Sequence, residues 1–240
     1  VSLAVVGIVG IGEVRRGTDL AGEICSAASA QGFPLAEGDV VVVTQKVVSK
    51  AEGAMARVDP DDPLSHKPLV DAESVRVLRR RGDLVISETR HGFVCANAGI
   101  DRSNVAADEV ALLPEDPDRS ARRIRDGIRA RAGAEVAVVV SDTFGRPWRR
   151  GVTDVAIGSA GIRAIIDLRG TTDAHGRELQ VTEVAVVDEL AAAADLVMGK
   201  ASGIPVAVVR GADPAWMLRP GQRSGVLADV VRDPAEDLFR

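Results

Sequence analysis

The sequence predicts an α/β fold of the mixed α+β kind. Valine-rich runs such as 40–43 and 136–140 are too short for helices and too apolar for solvent-facing strands, so they read as buried strands. Segments with apolar residues at helical spacing lie between them. That alternation over 240 residues is the pattern of strands packed against helices.

The elements follow in order. Residues 3–9 read as a strand, and 18–31 as a helix with Leu20, Ile24 and Ala28 on one face and Gly32 as its stop. A buried strand is expected at 39–44. Beyond it, in VVVTQKVVSKAEG (41–53), Lys46 and Lys50 sit four apart among valines, which predicts ammonium heads emerging from a packed element toward a cleft. Pro60, Pro63 and Pro68 among aspartates make 57–70 a loop, and DAESVRVLRRRG (71–82) reads as a short helix ending at a glycine. Strands are expected at 83–88 and 92–96. In 118–133, Ala121, Ile124 and Ile128 recur at helical spacing with arginines elsewhere, the pattern of a helix with a solvated basic face. The run 135–140 is expected to be a buried parallel strand that delivers Asp142 at its C-terminal end. The glycines of 156–165 leave helix and strand equally open, and DAHGREL (173–179) reads as a hairpin turn. A helix over 184–198 should bury Leu190, Ala193, Leu196 and Val197 and stop at Gly199, with 198–203 a tight connection to a strand at 204–211. Residues 212–240 are expected to form a loop and a terminal helix.

Composition narrows the function classes. With 46% hydrophobic and 27% charged residues the chain can bury a substantial core. Its apolar runs fall far below the ~18 residues of a membrane span and no secretory leader pattern opens it, so a cytoplasmic protein with no membrane partner is expected. The net charge of −5 argues against nucleic acid as a partner. Cys25 and Cys95 have neither a disulfide framework nor zinc spacing, and read as small core hydrophobes.

Chemistry concentrates at the predicted strand ends. In SDTFGRPWRRG (141–151) an acidic residue closes an apolar strand and runs into a cationic, aromatic loop. Asp142 and Thr143 are candidates for a hard cation, and Arg146, Arg149 and Arg150 are guanidinium donors suited to phosphate or carboxylate oxygens. CANAGIDRSN (95–104) gathers Asn97, Asp101, Ser103 and Asn104 around a glycine turn, so that Asp101 and Asp142 together would make the oxygen-rich setting Mg²⁺ or Mn²⁺ prefers. GIVGIGEV (7–14) lacks the dinucleotide fingerprint and alone reads as a turn. No Walker motif, G-x-S-x-G, H-E-x-x-H or C-x-x-C occurs.

The ordered set GDVVVVTQKVVSKAEG, NAGIDRSN, SDTFGRPWRRGVTDVAIGSAGI, GREL and VDELAAAADLVMGKASGIPVAVVRG resembles the coenzyme F420-0:γ-glutamyl ligase family over nearly the whole chain. The resemblance implies a two-lobed ligase fold, neither Walker nor Rossmann, as a single domain over 1–240 open to division into two intertwined lobes. The second, flavin-binding reductase-like domain of actinobacterial relatives is not expected here. The implied activity is a GTP-dependent amide ligase using Mg²⁺ or Mn²⁺, two per site, with K⁺ stimulation. It would join L-glutamate to coenzyme F420-0 or its dehydro precursor through an acyl phosphate, then add γ-linked glutamates, as a homodimer.

Carried over by position, Asp101 and Asp142 match ligands of the first cation and Thr143 a ligand of the second. Asn104 and Lys50 match nucleotide contacts, as do Ile11, Gly12, Glu13 and Val14, then Gln45 and Lys46, then Gly199, Lys200, Ala201, Ser202 and Gly203 within the 198–205 connection. Gly12 stands where the family commonly has proline, and Gln45 where it has a small hydroxyl residue. Asp142, Lys50 and Arg149 are the residues expected to carry the chemistry. Two other readings remain open: an inactive nucleotide- or deazaflavin-binding module, and a metal-dependent phosphohydrolase.

Overall fold

In the computed structural model, which describes residues 2–219 and 221–237, the valine runs become strands and the periodic segments between them mostly become helices. β1 (Ala4–Gly7) opens the chain, and α1 (Leu20–Ala30) follows with Leu20, Ile24 and Ala28 buried. The Asp19 carboxylate accepts the Gly22 N–H and caps α1. β2 (Val40–Thr44) runs without a loop into α2 (Gln45–Glu52), so the TQK segment is where strand turns into helix. Gly53, in the left-handed region at φ 77°, ends α2.

Residues 57–82 differ from the sequence reading. After β3 (Met55–Arg57), the helix α3 (Lys67–Glu73) starts inside the expected loop, with Pro68 in its first turn where a missing N–H costs nothing. The expected helix at 71–82 is instead almost all strand: β4 (Ser74–Arg81) pairs antiparallel with β5 (Leu84–Thr89). Pairing to β5 outweighs the helix propensity of the arginines, as strand formation in context often does. β6 (Val94–Ala96) completes this three-stranded sheet, and β7 (Glu109–Ala111) pairs with β3. Val70, Val85 and Ala98 form a small second core here.

The basic helix α4 (Pro117–Ala132) buries Ala121, Ile124 and Ile128 as its periodicity predicts. β8 (Ala137–Arg146) and β9 (Arg149–Ala160) then make one long hairpin. The stretch left open at 156–165 is therefore strand as far as Ala160. SDTFGRPWRRG is also corrected: it is the outer end of a hairpin, turning at Pro147 and Trp148, rather than a loop after a strand. Two short strands, β10 (Ile166–Asp167) and β11 (Glu183–Val184), flank the expected turn, where the Asp173 N–H donates to the Arg177 carbonyl.

α5 (Val186–Met198) buries Val186, Val187, Leu190, Ala191, Ala194 and Met198, and leaves Leu196 86% exposed. Its inward face is thus rotated from the one expected, because the alanines let the helix lie close on the sheet while leucine at 196 points out. β12 (Val206–Arg210) follows. In the tail, α6 (Val226–Asp229) is a single turn; of the terminal helix expected there, residues 238–240 lie outside the described residues.

The main sheet has the order β1-β12-β2-β8-β9. Only β2 and β8 are parallel; β8 is antiparallel to β9, and the other neighbours are antiparallel too. β2 and β12 are buried at four successive positions, which requires cover on both faces. α5 packs on β1, β12 and β9, while α4 packs on β8 and β9 and holds α1. This pairing brings the C-terminal ends of β1, β2 and β8 and the N-terminal ends of β9 and β12 to one edge. Among the described residues no helix is long and apolar enough to cross a membrane. Cys95 is buried and Cys25 half-buried, both unbridged, and burial pushes the Cys95 thiol up to about 12.

Candidate functional site

The shared strand edge lines a cleft of about 420 Å³. Its centre is the parallel pair: Thr44, the last residue of β2, lies beside Ser141 of β8, so α2 leaves β2 where β8 carries Asp142 and Thr143 onward into the hairpin. From β2 come Gln45, Lys46 and Lys50 on α2, and from β8 come Asp142 and Thr143.

The α2 side chains divide their work. Gln45 is 2% exposed and its Nε2 donates to the Leu112 carbonyl and to Ser49 Oγ, both at 2.7 Å, so its amide anchors α2. Lys46 Nζ lies 2.7 Å from Asp101 Oδ2 and donates to Ser103 Oγ at 2.6 Å. Lys50 Nζ pairs with Glu13 Oε1 at 2.7 Å, which holds the exposed Glu13 carboxyl below its ordinary range. Asp101 is set by an exchange of backbone hydrogen bonds with Ala111, and Asn104 follows in the left-handed region at φ 54°. Burial pushes Asp101 up, but Lys46 together with the Ser103 N–H and hydroxyl outweighs it and leaves the carboxyl below its usual value.

Neighbouring residues of a strand point to opposite faces, and β8 uses this to split its polar end. Asp142 Oδ1 accepts the Thr143 N–H at 2.8 Å. Among the described residues no ammonium or guanidinium comes within 4.0 Å of its carboxylate. Desolvation, reinforced by the charges of Asp101 and Asp154, pushes Asp142 up to about 7. Ser141 and Thr143 turn to the buried Asp154 of β9, donating their hydroxyls to its two oxygens at 3.0 and 2.7 Å. Lys200, just past α5, reaches the same group: its Nζ lies 2.6 Å from Asp154 Oδ1 and 2.9 Å from Asp195 Oδ1, and donates to Thr143 Oγ1.

Lys46 and Ser103 already engage both oxygens of Asp101, Asp142 has no side-chain cation within 4.0 Å, and among the described residues no three His, Cys, Asp or Glu side chains converge on one ion position. A pair of carboxylates completed by ligand oxygens suits Mg²⁺ or Mn²⁺, and a half-buried carboxylate such as Asp142, without a cationic partner, gains from one. On the Thr143 face the Lys200 ammonium contacts Thr143 Oγ1 and Asp154 Oδ1, so a second cation there would have to displace it.

The structure therefore brings Ile11, Gly12, Glu13, Val14, Gln45, Lys46, Lys50, Asp101, Asn104, Asp142, Thr143, Gly199, Lys200 and Gly203 to one cleft. It does not bring Ala201, Ser202 or Arg149 there. Ser202 turns its hydroxyl back to the Met198 carbonyl, and Arg149 is exposed on the hairpin with Arg146 and Arg150. Asp154 and Asp195 were missed. A lone aspartate among the apolar residues of GVTDVAIG was the available signal, since a charge in a buried strand needs a partner.

The family model described as F420-0:Gamma-glutamyl ligase matches residues 9–211. The chain belongs to that family. A protein named Coenzyme F420:L-glutamate ligase from Methanopyrus kandleri is 43% identical, over 95% of this chain and 94% of its own length. Its namesake from Methanothermobacter thermautotrophicus is also 43% identical, over 99% of both chains. A third, from Methanocaldococcus jannaschii, is 38% identical over 87% of each. The span matched to the F420-0:γ-glutamyl ligase family runs from before Ile11 to beyond Pro205 and so contains the whole cleft. It also bears out the family resemblance of the motifs, in a mixed α/β fold with neither a Walker nor a Rossmann signature.

Proposed function

We propose that this chain joins L-glutamate in amide linkage to the terminal carboxylate of coenzyme F420-0 or its dehydro precursor, and then adds γ-linked glutamates. GTP supplies the driving force: the precursor carboxylate attacks the γ-phosphorus, GDP leaves, and the glutamate amine displaces phosphate from the acyl phosphate. Family membership supports the substrates. The observation that carries the chemistry is the convergence of Asp101 and Asp142 with Lys46 and Lys50 in one cleft beside the parallel β2–β8 pair, a pairing of acids and ammonium groups suited to a metal–phosphate complex.

Asp101 and Asp142 would hold Mg²⁺ or Mn²⁺, which supplies charge stabilisation to the transferring phosphoryl group. Lys46 and Lys50 add fixed positive charge from a helix rooted in the sheet, so they need little reorganisation as charge develops. The Ile11–Val14 loop offers backbone N–H groups, with Gly12 letting a phosphate approach closely. K⁺ stimulation, a homodimer and a cytoplasmic setting belong to the same proposal. Incubation with GTP, Mn²⁺, L-glutamate and coenzyme F420-0, read by mass spectrometry, tests it. A product heavier by one glutamyl residue is expected. GTP loss without that product would mark a phosphohydrolase, and neither would mark a binding module.

A further inference from the structure

We infer that Gln45 is a positioning residue of the proposed reaction: through the carbonyl of Leu112 it fixes Asp101 against the helix that carries Lys46 and Lys50. The inference rests on the metal-dependent reading above and names a residue that sets the geometry of that site from behind. Gln45 lines the cleft, yet both its amide hydrogens are in use: Nε2 donates at 2.7 Å to the Leu112 carbonyl and at 2.7 Å to Ser49 Oγ. Ser49 Oγ donates in turn to the same carbonyl at 2.6 Å. The count closes, because the carbonyl oxygen has two lone pairs and receives two hydrogens. Gln45 is 2% and Ser49 0% exposed, so the two side chains of this triangle are out of water and the amide has no donor left for a ligand.

Leu112 stands next to the residue that holds Asp101. Its neighbour Ala111 exchanges both backbone hydrogen bonds with Asp101, at 2.9 and 3.0 Å. The Leu112 N–H also donates at 2.9 Å to the carbonyl of Ala54, just past the C-terminal end of α2. Asp101 and α2 are therefore tied through two adjacent residues. Lys46 spans the same gap with its ammonium 2.7 Å from Asp101, but a cation on that carboxylate would redraw the contact, whereas the buried triangle needs no change. Loss of both amide donations leaves the Leu112 carbonyl with one donor and frees α2 to turn relative to Asp101. Groups that orient metal ligands from behind are worth about 10–100-fold in metal affinity or rate.

Gln45→Met keeps the length of the side chain and removes both donors, and Mn²⁺ binding reads the result without turnover. Mn²⁺ affinity is measured by electron paramagnetic resonance on the full chain saturated with a non-hydrolysable GTP analogue. Affinity for the analogue is measured separately with chelator. Gln45→Met should bind Mn²⁺ about tenfold more weakly and lose about tenfold in kcat for glutamyl transfer, with metal-free analogue affinity held within about 2-fold. Asp118→Ala, which removes a buried acceptor outside the cleft, should keep the wild-type Mn²⁺ affinity. Unchanged Mn²⁺ affinity in a folded Gln45→Met would overturn the inference, as would an equal weakening in Asp118→Ala. Weaker metal-free binding of the analogue to Gln45→Met would place Gln45 on the nucleotide and overturn it too. These three results leave the metal-dependent reading standing, whereas a wild type that retains no Mn²⁺ with the analogue would overturn both. Should Gln45→Met not fold, judged by its thermal melt, Ser49→Ala decides: it removes one donor from the same carbonyl and should weaken Mn²⁺ binding, and an unchanged affinity would overturn the inference.

Discussion

Asp118 of α4 accepts three backbone N–H groups with one buried carboxylate: those of Ser159 at 2.7 Å, Val226 at 2.9 Å and Leu227 at 3.1 Å. One side chain thereby ties a helix, the hairpin that carries Asp154, and the tail. Asp118→Ala leaves three donors without their acceptor and should destabilise the fold by about 2–4 kcal/mol. Urea denaturation reads this out, and a loss under 1 kcal/mol would mean that the tail is held by other contacts.

Gly158 lies against the same helix. A Cβ there would sit 2.3 Å from the Pro117 carbonyl carbon, a backbone atom that cannot swing aside. Gly158→Ala should therefore push α4 off β9 and cost about 1–3 kcal/mol. An unchanged melting temperature would show that the helix can shift freely.

Arg149 tests the boundary of the site. It stood among the residues expected to carry the chemistry, yet the hairpin holds it outside the cleft. Arg149→Ala should leave kcat for glutamyl transfer within about 2-fold, since only interactions made in the transition state move the rate. A drop of tenfold or more would mean that the hairpin end reaches an active site after all, such as that of a second copy.

Much of the fold was legible because valine runs and helical periodicity are local signals, and β2, α1 and α4 fall where those signals put them. β4 was not legible. Its RVLRRR stretch has good helix propensity, and only pairing with β5 makes it a strand. The same limit hid Asp154: its role depends on facing Thr143 across the hairpin, a relation that exists only once β9 is known to be a strand. Lys46 was found because it follows a strand end that is read locally, and Asp101 and Asp142 because each stands beside a short apolar run in a polar motif. Leu196 was misplaced because one helix can turn either a leucine stripe or an alanine stripe inward, and the sheet's preference for close packing chose the alanines.

The raised ionisation of Asp142 gives the last prediction a definite sign. In the unfolded chain this carboxyl loses its proton near 3.8, but in the fold it keeps the proton up to about 7, because burial and the neighbouring Asp101 and Asp154 charges disfavour the anion. Between those values the folded state binds more protons than the unfolded one, so this group makes stability fall as pH rises from about 4 to about 7 and level off above. Asp142→Asn is neutral throughout, so in the metal-free protein it should remove that fall and gain on the order of 4 kcal/mol at pH 8. Retention of Mn²⁺ should behave oppositely, since the ligand is the anion: it should strengthen through pH 7 in the wild type and be lost in Asp142→Asn, along with glutamyl transfer. Denaturation curves at pH 5 and 8 with chelator, set beside Mn²⁺ retention at the same values, separate the two effects. A variant no more stable than wild type at pH 8 would mean that Asp142 is ionised well below 7, and a variant that still retained Mn²⁺ would remove it from the cation site.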